Sequence, residues 1–167
     1  GLKSEFGDTA LLSATRTHGS SADADEIAER LKVVRALLDS GAPLEDRLQS
    51  MQDWQPTPLL LAIESGLAEL ALVLIERGAD VDAQTGFTGK FQPDLNALMW
   101  AAYKGQGAVV AALLDKGARI DARNSTGHTA LMIAADSGQA EVLQMLLRRG
   151  ANPTLRNRKG QTALALA

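Results

Sequence analysis

Asn96–Gly117 reads NALMWAAYKGQGAVVAALLDKG, and Thr129–Gly150 reads TALMIAADSGQAEVLQMLLRRG. The second begins 33 residues after the first, and a third start, Thr162-Ala-Leu, falls 33 residues further on. Upstream, Thr57-Pro-Leu opens a segment that reaches Gly78 over the same separation of 21 residues that joins Asn96 to Gly117 and Thr129 to Gly150. A fixed period of this size marks supersecondary units that cannot bury their apolar faces alone. Such units stack into a solenoid, whose long surface suits binding rather than chemistry.

Within each unit two apolar doublets precede a Gly-Ala pair: Val33-Val34 with Leu37-Leu38, Leu70-Ala71 with Leu74-Ile75, Val109-Val110 with Leu113-Leu114, and Val142-Leu143 with Leu146-Leu147. Spacing of i, i+1, i+4, i+5 is helical and gives a face broad enough to touch two neighbours. On this register Leu113, Leu114, Val142, Leu146 and Leu147 are all expected to be buried. Thr57, Thr129 and Thr162 are placed to cap a first, short helix through the hydroxyl, and Pro58 sits where its missing N–H costs nothing. Gly66, Gly105 and Gly138 end that helix, and Gly41, Gly78, Gly117 and Gly150 close a second helix of about three turns.

A short helix opened by Thr-Pro-Leu, a Gly turn, a longer helix with two doublets, then Gly-Ala and a hairpin: this pattern resembles the ankyrin repeat family over nearly all of residues 6–167. The resemblance implies an all-α solenoid of stacked helix-turn-helix units with hairpin fingers. It implies a single domain over 1–167, with units at about 5–51, 52–90, 91–123 and 124–156 and a partial one at 157–167. It also implies a non-enzymatic role in binding a protein partner through a concave groove and the finger loops. One departure stands out. The family usually carries His after Thr-Pro-Leu to tie neighbouring hairpins; here those positions are Leu12, Leu60, Met99 and Met132, so packing is expected to replace the hydrogen-bond network.

The 167 residues are 46% hydrophobic, with no apolar run near the roughly 18 residues of a membrane span, so no membrane insertion is expected. There is no cysteine, which excludes disulfides, thiolate catalysis and Cys-ligated zinc. The start, Gly1-Leu-Lys, reads as processed or trimmed, and both a cytoplasmic and a bacterial periplasmic setting remain open. The net charge of −3 hides an asymmetry: residues 1–95 carry 8 Lys/Arg against 16 Asp/Glu, and 96–167 carry 9 against 4. It reads either as drift on solvated faces or as a dipole that orients a partner.

Departures from regularity are where function is sought. Thr9 to Gly41 spans 32 residues, 11 more than the later units, and the addition from Ser20 reads as an extended second helix with a face of Ile27, Leu31, Val34 and Leu38. It is either an N-terminal cap or a docking arm. The connection from Gly78 to Asn96 is six residues longer than that from Gly117 to Thr129 and carries Phe87, Lys90 and Phe91, while the preceding finger carries Trp54. These aromatics either seal gaps between fingers or form a contact patch. On the inner helices Leu61, Trp100 and Ile133 share one register position, and Glu64, Tyr103 and Asp136 share another. The family resemblance places both toward the groove. The expected partner site comprises Trp54, Phe87, Lys90, Phe91, Trp100, Tyr103, Lys104, His128 and Asp136.

No nucleophile with a base, carboxylate pair or metal-ligand set has workable spacing, and no cofactor is expected. His18 and His128 lie far apart in turns, and Asp80, Asp82 and Asp121 are explained as Asx groups bonding their own hairpins. The basic cluster Arg148, Arg149, Arg156, Arg158 and Lys159 lacks aromatic interleaving in a chain that is acidic overall, so nucleic acid is not the expected partner. Two rivals to a general binding module remain: an inhibitor, immunity-type or stress-protective factor that masks a partner enzyme, and an assembly element. The chain is expected to be monomeric, with self-association through Leu164 and Leu166 as the alternative.

Overall fold

The computed structural model describes residues 10–15, 24–45, 47, 56–84 and 94–167. Among them are nine helices: α1 (Ala10–Thr15), α2 (Ala24–Asp39), α3 (Pro58–Glu64), α4 (Ala68–Glu76), α5 (Ala97–Tyr103), α6 (Gly107–Asp115), α7 (Ala130–Asp136), α8 (Ala140–Arg148) and α9 (Ala163–Leu166). There is no strand among the described residues, only a single bridge between Gln84 and Asn96. The helices form two rows. α1, α3, α5, α7 and α9 pack in succession along one, α2, α4, α6 and α8 along the other, and each short helix from α1 to α7 packs on the longer helix that follows it.

Local chemistry sets the boundaries. Thr57 Oγ1, Asn96 Oδ1 and Thr129 Oγ1 accept from the N–H groups of Leu60, Met99 and Met132 at 3.4, 2.9 and 3.3 Å, which satisfies an orphan donor at each helix start. All three cap residues are buried, so without these bonds their polar atoms would be desolvated and unpaired. Thr162 occupies the same place before α9 but makes no side-chain cap bond. The longer helices end at Gly78, Gly117 and Gly150, each at φ 90°, where a Cβ would be strained. The next N–H, from Ala79, Ala118 or Ala151, then donates back to Leu74, Leu113 or Leu146 O at 3.0 Å. This closes a Schellman turn, and the small alanine side chain is buried beneath it. The Gly-Ala pair thus recurs for two separate reasons, one conformational and one steric.

The core runs unbroken along the rows. Leu70, Leu74, Val109, Val110, Leu113, Val142 and Leu146 are buried in one cluster with Leu59, Leu98 and Leu131 from the short helices. Two members of the expected set differ: Leu114 is only partly buried and Leu147 is 41% exposed. Ile75, in the same register, is 1% exposed. The burial of that position thus differs from unit to unit, although α8 packs on α6 as α6 packs on α4. In the first unit α2 extends to 16 residues against 9 for each later partner helix, with Asp25 and Glu26 in its first turn. Val34 is fully buried and Ile27, Leu31 and Leu38 pack against the core, as their spacing predicts. The Ser20–Ser21 cap lies outside the described residues.

Candidate protein-binding surface

The hairpins are joined to one another by a regular set of side-chain bonds. Glu45, Asp82 and Asp121 each stand four residues after the closing glycine of a long helix. Each accepts the backbone N–H two residues after the next closing glycine: Asp80 N to Glu45 Oε1 at 2.8 Å, Arg119 N to Asp82 Oδ1 at 3.2 Å, and Asn152 N to Asp121 Oδ1 at 3.0 Å. Arg119 adds an ion pair to Asp82 at 3.2 Å. Asp94 likewise accepts from the backbone N–H of Ser125 at 2.7 Å and from its hydroxyl. The expectation that packing would replace hydrogen bonds between hairpins is therefore wrong, and the reading of Asp82 and Asp121 as purely local Asx groups was too narrow. Asp80 does bond locally, to Asp82 N at 3.0 Å. A carboxylate can do the work of the absent histidine because its charge strengthens a bond to a backbone N–H. The recurring acid after each glycine was the available signal.

The last two hairpins are joined more tightly. Arg158 N donates to Thr126 O at 3.0 Å, and Arg123 reaches Arg156 O. A Cβ on Gly127 would stand 3.0 Å from Arg158 N and 3.3 Å from Asn157 Cα, so only glycine allows this approach. His128 lies between the hairpins, its Nδ1 2.8 Å from Thr126 Oγ1 and its Nε2 3.1 Å from Asn157 Nδ2. Burial holds its imidazole below the ordinary histidine pKa, with Asp136 opposing and Lys159 assisting. Both ring nitrogens are occupied. His128, expected as a partner contact, thus serves to join hairpins.

The open side of the short helices carries the other expected residues. Gln106 Nε2 donates to Ile63 O at 3.0 Å and Gln139 Nε2 to Tyr103 O at 3.2 Å, so the starts of α6 and α8 are bonded to the ends of α3 and α5, the short helices of the preceding units. On α5, Tyr103 is 49% exposed and Trp100 stands edge-on to it, with ring centroids 6.1 Å apart and planes at 81°. Lys104 Nζ lies 5.9 Å from the Tyr103 ring centroid. Trp100 packs against the core and is half-buried, so it supports Tyr103 more than it presents its own face. Leu61, in the same register, is buried with Leu12. Asp136 is exposed and Glu64 partly so. The structure therefore brings Trp100, Tyr103 and Lys104 together and sets Asp136 near enough to His128 to act on its charge. Trp54, Phe87, Lys90, Phe91 and His18 lie outside the described residues.

Among the described residues no group of three His, Cys, Asp or Glu could hold a metal ion, and no helix is long and apolar enough to cross a membrane. Comparison with known proteins settles the family. The description "Ankyrin repeats (3 copies)" matches residues 87–157, and "Ankyrin repeat" matches 57–86. The chain belongs to the ankyrin repeat family. It is 39% identical over 100 residues to human "Ankyrin repeat and KH domain-containing protein 1", covering 60% of this chain and 4% of that protein. It is 30% identical over 129 residues to a Caenorhabditis elegans "Transient receptor potential cation channel subfamily A member 1 homolog", covering 77% of this chain and 9% of the relative. With mouse "Ankyrin repeat and SAM domain-containing protein 6" the identity is 39% over 74 residues, 44% of this chain and 8% of the relative. The chain thus spans less than a tenth of the length of these relatives. Ankyrin repeats are a protein-interaction fold without catalytic machinery of their own.

Proposed function

We propose that this chain is a non-enzymatic module that holds a protein partner against the open sides of α3, α5 and α7 and along the neighbouring fingers. The observation that carries the reading is Tyr103: a large aromatic, 49% exposed, on a helix whose end is bonded to the next unit through Gln139. Aromatic side chains dominate interface hot spots, and a surface already held by its scaffold loses little ordering entropy on binding. Trp54, Phe87, Lys90 and Phe91 extend the proposed surface on the finger side, on the strength of the sequence. The hairpin acids Glu45, Asp82 and Asp121, the ring of His128 and the amides of Gln106 and Gln139 are occupied in joining repeats, which suits a rigid support.

The test uses binders selected from a displayed protein library against the whole chain. Their affinities are then measured on Tyr103→Ala, Lys104→Glu and a control, Glu141→Lys, on the exposed part of α8. Most binders should weaken about tenfold or more on Tyr103→Ala, change in affinity on Lys104→Glu, and hold on the control. Binders indifferent to Tyr103 and Lys104 would put the recognition surface elsewhere.

A further inference from the structure

We propose that the row formed by Glu64, Tyr103 and Asp136 takes an extended segment of a partner in which an apolar residue is flanked on both sides by basic residues. This deepens the groove reading and rests on it. Glu64, Tyr103 and Asp136 each stand seven residues after a helix cap, Thr57, Asn96 and Thr129. α3 packs on α5 and α5 on α7, so equivalent positions on the three helices are neighbours in space. The row therefore reads acid, aromatic, acid.

Its chemistry selects the ligand. Among the described residues neither Glu64 nor Asp136 forms an ion pair, and a cation brought to either gains attraction without displacing an existing partner. Between them the exposed edge of Tyr103, backed by Trp100, offers apolar area to a side chain laid on it. Lys104 is the one cation among these residues and is drawn over the Tyr103 ring. Ser65 and Ser137 hold its register position on the flanking helices, so the ends of the row stay acidic. An acidic partner would meet like charge at both ends, which costs more than it returns at the centre.

The spacing selects the conformation. Packed helices lie roughly 8–10 Å apart, which puts Glu64 roughly 16–20 Å from Asp136. An extended chain in the polyproline II conformation advances about 3.1 Å per residue with three residues per turn, so about six steps join two basic residues and put the midway apolar residue on the same face. A helical ligand would need an apolar stripe at successive turns, and this row offers one exposed aromatic site bounded by charge.

Two synthetic peptides of about seven residues decide it. One has arginine at both ends, leucine at its centre and serine elsewhere; the other replaces the arginines by glutamate. Titrated into the full chain at low salt, the arginine peptide should bind about tenfold tighter or more. Glu64→Lys combined with Asp136→Lys should reverse the preference, and Tyr103→Ala should weaken the arginine peptide several-fold while keeping it preferred. Equal affinities, no binding of either peptide, or a preference that survives the double reversal would overturn the proposal. The groove reading fails separately. Library binders that depend on Tyr103 but lack basic residues refute only the peptide chemistry, whereas binders indifferent to Tyr103 refute both.

Discussion

Asn157 donates its amide N–H to His128 Nε2 across 3.1 Å, and the direction of that bond is fixed. Asn157 Oδ1 already accepts the backbone N–H groups of Lys159 and Gln161 at 2.9 and 3.0 Å, so the amide cannot turn to offer its oxygen. Nε2 must therefore accept, and the ring proton sits on Nδ1, where it donates to Thr126 Oγ1. The threonine hydroxyl passes its own hydrogen to Asn124 Oδ1 at 2.8 Å. A second proton on His128 would face the Asn157 NH₂ group and break the chain.

The consequence is a pH dependence of known sign. The folded-state pKa of His128 is lowered by burial from 6.5, so between that value and the lower folded one the unfolded chain binds more protons. Stability contributed by neutral His128 is present above pH 6.5 and is lost as pH falls from there toward the folded pKa. Melting temperatures across this range, wild type against His128→Gln, should show a steeper fall on acidification in the wild type. Parallel curves would mean that His128 is indifferent to its proton.

Burial separates three leucines that the periodicity treats alike. Leu113 and Leu146 are fully buried, and truncating either to Ala should cost roughly 2–5 kcal/mol. Leu147, 41% exposed, should cost under about 1 kcal/mol. Urea denaturation of the three variants checks the order, and a Leu147→Ala loss as large as that of Leu146→Ala would contradict the packing described.

The contrast shows what the sequence made legible. Helix starts, closing glycines and the inward faces of α6 and α8 follow from local rules of capping, φ and period, and all were readable from the Asn96 and Thr129 units. Leu114 and Leu147 share the register of buried Ile75 yet are less covered, so period alone does not tell how deeply that position is buried. The carboxylate series at Glu45, Asp82 and Asp121 was visible as a recurrence, yet its partners lie 31 to 37 residues away, beyond the reach of an Asx rule. The aromatic cluster was half legible: the (i, i+3) spacing of Trp100 and Tyr103 placed them together, but only packing could show that Tyr103 is the exposed member.

That carboxylate series makes its own prediction. Asp121→Ala removes the acceptor for Asn152 N, and one charge-assisted bond at an exposed site should cost about 1 kcal/mol. The sharper readout is hydrogen exchange: the Asn152 amide should lose protection while Ala151 N, bonded within its own turn to Leu146 O, keeps it. Unchanged protection of Asn152 would show that the hairpins are held by packing after all.

The last prediction concerns self-association. Leu164 is 87% exposed and Leu147 41%, while Leu166 packs partly against the core and α9 rests on α7. Two exposed leucines fall far short of the roughly 20 to 30 residues a side that a stable interface uses. Arg148, Arg149, Arg156, Arg158 and Lys159, between the end of α8 and the start of α9, are also exposed, and of these Arg149 is paired with Asp115 at 2.7 Å. A two-fold contact through this face would set these cations against their own copies, where repulsion opposes the small apolar gain. Light scattering over a hundredfold range of concentration, about micromolar to a tenth millimolar, should therefore return a monomer for both wild type and Leu164→Lys. A mass that rises with concentration in the wild type and stays flat in Leu164→Lys would instead place a self-interface on this face.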